Sequence, residues 1–200
     1  MALLLSVLEQ GMIYGILALG VYITYKILDF PDLTVDGSFP FGAAITVRLI
    51  NGFGVPAILT LPIAFLGGAL VGICTGLIHV KLKVRDLLSG IIMMTGLYTI
   101  NLWVAGSGYV AIFDKENIFN NSFVNSITPG FLVNFKNVII IFLITMVAKY
   151  LLDWYMSTKS GFLLRAVGDN DTIVTSLGVD KGLVKIVGLS IANGLVSLSG

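Results

Sequence analysis

Charged residues are scarce in this 200-residue sequence: they make up 12% of it, while 56% of its residues are hydrophobic. A soluble domain carries roughly twice that charge. Twelve basic and eleven acidic residues leave a formal net charge of +1. Because this balance offers no clustered basic face to neutralise phosphates, we expect no nucleic-acid partner. A membrane is the solvent that suits such a composition.

Cysteine and histidine occur once each, which excludes several kinds of chemistry. Cys74 lies in an apolar run with no second cysteine to pair with, and we interpret it as a small core residue. His79 has no neighbouring Cys, His or acidic cluster with which to build a metal site or an acid–base pair. The sequence also lacks the phosphate-binding loop Gly-x-x-x-x-Gly-Lys-Ser/Thr. We therefore expect no enzymatic activity and no cofactor, and we assign any ATP hydrolysis to another chain.

Long apolar runs predict an all-α, polytopic transmembrane helical bundle that forms a single domain, residues 1–200. Spans are predicted at residues 11–25, extended back to residue 2, and at 56–80, 87–105 and 137–156. The last apolar stretch begins near Leu183, and we interpret it as too short to cross a hydrocarbon core of about 30 Å. We therefore expect a C-terminally truncated fragment.

The distribution of basic residues predicts the orientation of the chain. The stretch 81–86 and the stretch 157–165 are basic, whereas the long loop 106–136 carries only two lysines. The two basic stretches are therefore predicted to face the cytoplasm, and the long loop to face outward. Either side remains open for the N-terminus.

Residues 26–54 predict a broken or re-entrant helix. Their only apolar core, residues 39–50, would be about 18 Å long and could not span alone. Several Asp, Pro and Gly residues flank it. Non-helical backbone at membrane depth is tolerated only where protein buries it or water reaches it. We predict that this segment lines a cavity; an aqueous loop that joins two spans is the alternative.

Polar side chains near membrane depth predict a substrate pathway. The carboxylates of Asp32 and Asp36 would suit a substrate that bears an ammonium group, and nearby hydroxyls would suit any polar solute. A polar stripe at helical spacing on the 87–105 span either bonds a neighbouring helix or lines the pore. The predicted pathway residues are Asp32, Thr34, Asp36, Ser38, Thr95 and Asn101.

Small residues repeat every four positions on two of the predicted spans. Such faces let helix backbones approach closely, which is a main source of helix association in lipid. We therefore predict a compact bundle with ordinary tight packing at these faces. They comprise Ala64, Gly68, Gly72 and Gly76 on one span and Gly11 and Gly15 on the first.

A polar, glycine-punctuated segment, residues 157–181, separates the last two predicted spans. The run Asp169-Asn170-Asp171 is typical of a helix N-cap, and Gly178 is typical of a helix stop, so a short helix is predicted between them. Because an isolated helix of this length is unstable in water, it needs a partner. We interpret the segment as a knob that inserts into a partner protein; a loop packed on its own bundle is the alternative.

These residues also carry a resemblance. The runs Gly161-Phe-Leu-Leu-Arg165-Ala-Val-Gly168-Asp-Asn and Ser176-Leu-Gly178-Val, followed by an apolar span, resemble the coupling segment of bacterial ABC importer permeases of the branched-chain amino acid and ribose permease superfamily. The run Phe30-Pro-Asp-Leu-Thr-Val-Asp-Gly-Ser38 is similar to the Asp-Leu-Ser-Val-Gly-Ser region of its sugar permeases. Asp36 stands where that pattern has glycine, which favours the amino-acid-like branch, including its aromatic amino acid systems.

The resemblance implies a multi-pass permease of the bacterial cytoplasmic (inner) membrane that imports a small polar solute, such as a branched-chain or aromatic amino acid. It implies four kinds of partner besides the bundle itself: ATP-binding cassette ATPase subunits, an extracellular or periplasmic solute-binding protein, a second permease subunit in a homodimer or heterodimer, and membrane lipid. Family members are nearly a hundred residues longer.

The resemblance also implies which residues couple the chain to the ATPases, with two glycines that let the linker bend. A sugar or nucleoside permease of the same superfamily is one alternative, and an ion-coupled secondary transporter or channel is another. A structural membrane protein, without any flux, is a third. The implied coupling residues are Gly161, Arg165, Gly168, Asp169, Asp171, Leu177 and Gly178.

Overall fold

The computed structural model describes residues 2–106, 108, 135–176 and 178–200, and it is helical wherever it is regular in these ranges. Its first helix continues directly into one π-helical stretch, Ile23–Ile27. In chain order the α-helices are α1 (Ala2–Tyr22), α2 (Val35–Phe53), α3 (Ala57–Lys81), α4 (Asp86–Ala105), α5 (Lys136–Met156), α6 (Lys159–Asp169), α7 (Asp171–Ser176) and α8 (Lys181–Ser199).

Five of these described helices are long and apolar enough to cross a membrane: α1 with its π-helical stretch, α3, α4, α5 and α8. The prediction of an all-α polytopic bundle is confirmed. The expectation that the last stretch is too short is wrong, because α8 is 19 residues long, about 28 Å. It begins at Lys181, where the carboxylate of Asp180 caps it by accepting a hydrogen bond from the Gly182 N–H at 2.8 Å.

Helix α2 is longer than the sequence predicts. Its 19 residues form one continuous helix from Val35, with Pro40 inside it, whereas only the core 39–50 was expected to be helical. The break in the backbone lies earlier, at residues 28–34. Asp36 lies in the first turn of α2, where a carboxylate suits the positive end of the helix dipole, so polar residues that look like a loop begin the helix instead.

The glycine face of α3 packs directly on α8, and the two helices run antiparallel. A methyl group added to Gly72 would lie 2.6 Å from the carbonyl carbon of Leu189, and one added to Gly76 would lie 2.9 Å from the Cα of Ile186. The predicted tight packing is confirmed for this face.

The predicted glycine face of α1 is not confirmed. A Cβ added to Gly11 or Gly15 would have no neighbour within 4 Å. The close approach of α1 lies further along, where a methyl group on Gly20 would be 2.6 Å from the carbonyl oxygen of Ala192. Cys74, expected in the core, is exposed.

Contacts between helix ends show which segments share one end of the bundle. At the start of α8, a Cβ on Gly182 would lie 2.6 Å from the side chain of Val80, near the end of α3. In α6, Gly168 lies against the carbonyl oxygen of Ile27. The two basic stretches and the end of the π-helical stretch therefore meet at one end, which the positive-inside rule assigns to the cytoplasm. Helix α1 starts at the opposite end.

Candidate functional site

Three of the predicted pathway residues, Asp32, Thr34 and Ser38, lie in a polar cluster with no solvent exposure. One carboxylate oxygen of Asp32 accepts a hydrogen bond from the backbone N–H of Thr34 at 2.8 Å, and the other accepts one from the amide of Asn193 at 2.7 Å. The hydroxyl of Ser38 donates to the amide oxygen of Asn193 at 2.6 Å. Asn193, on α8, thereby holds the break and the start of α2 together.

A second link joins the break to α3. The hydroxyls of Thr34 and Thr75 lie 3.1 Å apart. Because Thr75 donates to the carbonyl of Val71 at 3.1 Å, Thr34 is the donor in this pair. Asn193 uses its remaining N–H on the carbonyl of Leu189 at 3.1 Å. The cluster is thus satisfied internally, as buried polar groups are expected to be.

Thr75 and Asn193 were missed by the sequence analysis. Each is a polar residue in the interior of a mostly apolar span, and that is the signal that marks it. The cluster lies at membrane depth, since Asn193 is 12 residues beyond the first residue of α8, about 18 Å along its axis.

The other predicted pathway residues lie outside this cluster. Asp36 is exposed on the first turn of α2, and Thr95 is exposed on α4, where its hydroxyl donates to the carbonyl of Ile91. Asn101 is half-buried and donates to the carbonyl of Gly37 at 3.1 Å. Its amide oxygen is buried without a hydrogen-bond partner among the described residues. The structure therefore encloses three of the six predicted residues in one cluster and leaves the other three outside it, on α2 and α4.

The cytoplasmic segment begins with α6, which has two distinct faces. Leu164 and Val167 are buried. Phe162, Arg165 and Asp169 are exposed, and their spacing places them along one side of the helix. Phe162, which the sequence analysis did not single out, is 72% exposed.

Gly161 and Gly168 lie inside α6 rather than in a bending linker, so that expectation is wrong. A Cβ on Gly161 would lie 2.5 Å from the Cα of Met156, and one on Gly168 would strike the carbonyl oxygen of Ile27. Both glycines therefore allow close approach of backbones. Their part in ATPase coupling stays a prediction.

The short capped helix is confirmed as α7. Asn170 is its cap, since its side-chain oxygen accepts hydrogen bonds from the N–H and the hydroxyl of Thr172 at 3.1 and 2.6 Å. Gly178 follows with a φ of +77°, the left-handed conformation typical of a helix stop. Val174 is fully buried against the bundle, and Thr172 is exposed. Packing of α7 on its own bundle is therefore confirmed at Val174, and insertion of the segment into a partner protein stays a prediction.

Two of the predicted coupling residues lie partly or wholly outside the described part of the structure. Asp171 begins α7, but its side chain is outside the described part of the structure, and Leu177 lies outside the described residues altogether. At the end of α6, a polar cleft of about 290 Å³ opens between the break and the cytoplasmic segment. Its lining residues are Leu28, Asp29, Val167, Gly168, Asp169, Asn170 and Lys185.

The sequence is similar to one protein family and to several known proteins. Residues 3–200 match the model of the family described as "Branched-chain amino acid transport system / permease component". The chain is 42% identical over 98% of its length to the tyrosine transport system permease protein of Clostridioides difficile (strain R20291), of which it covers 62%. It is 30% identical over its whole length to an uncharacterized protein of Rickettsia prowazekii (strain Madrid E), of which it covers 67%.

A more distant relative is the probable branched-chain amino acid transport permease protein LivH of Methanocaldococcus jannaschii, 26% identical over 97% of this chain and 64% of that protein. The chain thus spans about two thirds of the length of these relatives. No solved structure is significantly similar to it.

Proposed function

This chain belongs to the family of branched-chain amino acid transport permease components, and we propose that it works as the membrane-spanning subunit of an ATP-binding cassette importer for an amino acid. The family and the five apolar helices make it a multi-pass protein of the inner membrane. It is a transport component and not an enzyme. ATPase subunits, a solute-binding protein and a second permease subunit are its proposed partners.

The observation that carries this proposal is the exposed face of α6. Phe162 and Arg165 project from a helix whose opposite face is buried, at the end of the bundle that the basic residues assign to the cytoplasm. Exposed aromatic and arginine side chains are typical anchors of protein interfaces. Since the chain has no phosphate-binding loop of its own, a separate ATPase that docks on this face would supply the energy.

The α2–α4 side is the proposed wall of the substrate pathway. The enclosed group, Asp32, Thr34 and Ser38, is already hydrogen-bonded within the chain, so it supports the wall rather than contacting the solute. Asp36 is exposed two residues from Ser38, at a depth where a carboxylate facing lipid would be costly. It therefore requires water or a partner subunit in front of it, which a pathway at a subunit interface would provide.

We assign an aromatic amino acid, such as tyrosine, as the solute. A permease named for tyrosine transport is 42% identical over nearly the whole chain. Asp36 would attract the ammonium group. One helical turn further along α2, Phe39 stacks on Tyr14 with 6.1 Å between ring centroids, and these rings could offer an aromatic surface to the solute.

The proposal is tested by reconstituting the permease in proteoliposomes with the ATPase and solute-binding protein encoded in neighbouring reading frames. Uptake of labelled tyrosine, leucine and ribose is measured with and without ATP. We expect ATP-dependent uptake of tyrosine above that of the others. Uptake that survives ATP depletion and follows an ion gradient would instead identify a secondary transporter, and preferred uptake of ribose would identify the sugar branch.

A further inference from the structure

Every second side chain of the break at residues 28–34 is buried. Leu28, Phe30, Asp32 and Thr34 are each at most 2% exposed. At its beginning, Leu28 and Phe30 donate their backbone N–H groups to carbonyls of the π-helical region, at 2.9 and 2.8 Å. Asp29 adopts a φ of +51°, in the left-handed region that Asp tolerates better than most residues. The segment is thus a short, non-helical stretch of backbone that the bundle encloses.

The beginning of this segment is held by the cytoplasmic region. Gly168 of α6 lies against the backbone of Ile27, and a Cβ on it would also come within 3.2 Å of the Cα of Leu28. From α8, a Cβ on Gly188 would lie 2.6 Å from the side chain of Leu164 and 3.4 Å from that of Leu28. At Gly168, α6 therefore contacts the start of the break directly, beside the polar cleft, so a displacement of α6 toward Ile27 moves this part of the break.

The end of the segment is held by α3, α4 and α8. Asn193 binds the carboxylate of Asp32, and Thr75 binds the hydroxyl of Thr34. On α4, a Cβ on Gly90 would lie 2.8 Å from the backbone nitrogen of Leu33. Helix α2, with the exposed Asp36 in its first turn, follows directly. The segment consequently joins the face proposed for ATPase docking to the wall proposed for the pathway.

We propose that residues 28–34 transmit movement of α6 to the first turn of α2, with Gly168 and Asn193 as the positioning residues at the two ends of the link. This inference rests on the proposed function. Close-packed interiors transmit displacements because they compress little. The helical hydrogen-bond ladder is interrupted at the break, so this segment can change direction between two packed helices at a lower cost than a continuous helix.

The test uses the reconstituted transporter and measures solute moved per ATP hydrolysed, together with the amount of ATPase that co-purifies. Gly168→Ala and Asn193→Ala alter the two ends of the link. Each has a matched control outside it: Gly76→Ala creates a clash with backbone, 2.9 Å from the Cα of Ile186, and Ser197→Ala removes a buried hydrogen bond, 2.8 Å to the carbonyl of Ala64, from the same helix as Asn193.

We expect both link variants to lower the transport-to-hydrolysis ratio about fivefold or more, as for coupling between distinct sites, while the controls stay within about twofold of wild type. Because the ratio is taken over assembled complexes, a lower yield of a variant does not obscure it. Equal losses in variants and controls, or a wild-type ratio in both link variants, would overturn the inference. A wild-type chain that moves solute without ATP would instead refute the proposed function.

Discussion

Replacing Gly72 by alanine should loosen the contact between α3 and α8. The glycine face of α3 makes this contact. The new methyl group would lie 2.6 Å from the carbonyl carbon of Leu189 and 2.7 Å from the Cα of Ser190. Both are backbone atoms, so no side chain can rotate away and α8 itself must shift. Overpacking of this kind costs about 1–3 kcal/mol.

Alanine also favours a helix over glycine by about 0.5–1 kcal/mol, which partly offsets the clash. The net expectation is a loss of about 0.5–2 kcal/mol of unfolding free energy. Gly15→Ala is the matched control, because a Cβ there has no neighbour within 4 Å and only the helix-propensity gain remains. The two substitutions should therefore change the unfolding free energy in opposite directions.

The assay is unfolding of the purified chain in detergent micelles, followed by far-UV circular dichroism, which reports loss of helix. If Gly72→Ala proves as stable as Gly15→Ala, the close approach of α3 and α8 is not what holds the bundle together. A second open glycine, Gly96, provides a repeat of the control on another helix.

Three further predictions follow from the site. Thr75→Val should lower the unfolding free energy by about 1–3 kcal/mol by leaving the buried Thr34 hydroxyl without its acceptor, whereas Thr34→Val, after which Thr75 still donates to Val71, and the double substitution should both cost less. Phe162→Ala should reduce co-purification of the ATPase about tenfold or more, since loss of a central anchor costs more than about 1.4 kcal/mol. Asp36→Asn should reduce uptake of tyrosine about tenfold, as expected when a charge that attracts the ammonium group is removed.

Controls separate these effects from general damage. Arg48→Ala changes an exposed residue far from α6 and should leave ATPase co-purification intact. Asp153→Asn neutralises an exposed carboxylate that pairs, within the described part of the chain, with Lys149 on its own helix at 2.6 Å, and should leave uptake near the wild-type level. Equal uptake by the Asp36 and Asp153 variants would show that Asp36 is not part of the pathway. If the changes in unfolding free energy of the Thr34 and Thr75 variants simply add in the double variant, the contact between the two hydroxyls contributes nothing to stability.

Most of the bundle could be predicted from the sequence because the signals are local. Apolar runs of sufficient length identify the spans, four-residue glycine spacing identifies the α3 face, and the Asn170 and Gly178 residues mark the ends of α7. Helix α2 was underestimated because Asp36, Gly37 and Pro40 are unfavourable or neutral in isolated helices. Tertiary contacts outweigh that preference, as in the hydrogen bond from Ser38 to Asn193.

The site was predicted only in part, since polarity at membrane depth marks a residue without saying what it contacts. Asp32 and Asp36 look alike in sequence, yet one is fully buried and the other is exposed. The difference depends on Asn193, which is 161 positions from Asp32 along the chain. No pattern of spacing within a helix can reveal such a pairing, so the enclosed and exposed groups separate only in the folded structure.

That separation also indicates where the chain needs other molecules. A polar group in a membrane protein is satisfied by its own bundle, by water or by a partner. The Asp32 carboxylate accepts its hydrogen bonds from the bundle, so its removal should lower the unfolding free energy. Among the described residues, neither Asp36 nor Arg165 forms an ion pair or a side-chain hydrogen bond, and both are exposed. Their satisfaction must come from outside the bundle, so substitutions there should alter transport or assembly before they alter folding.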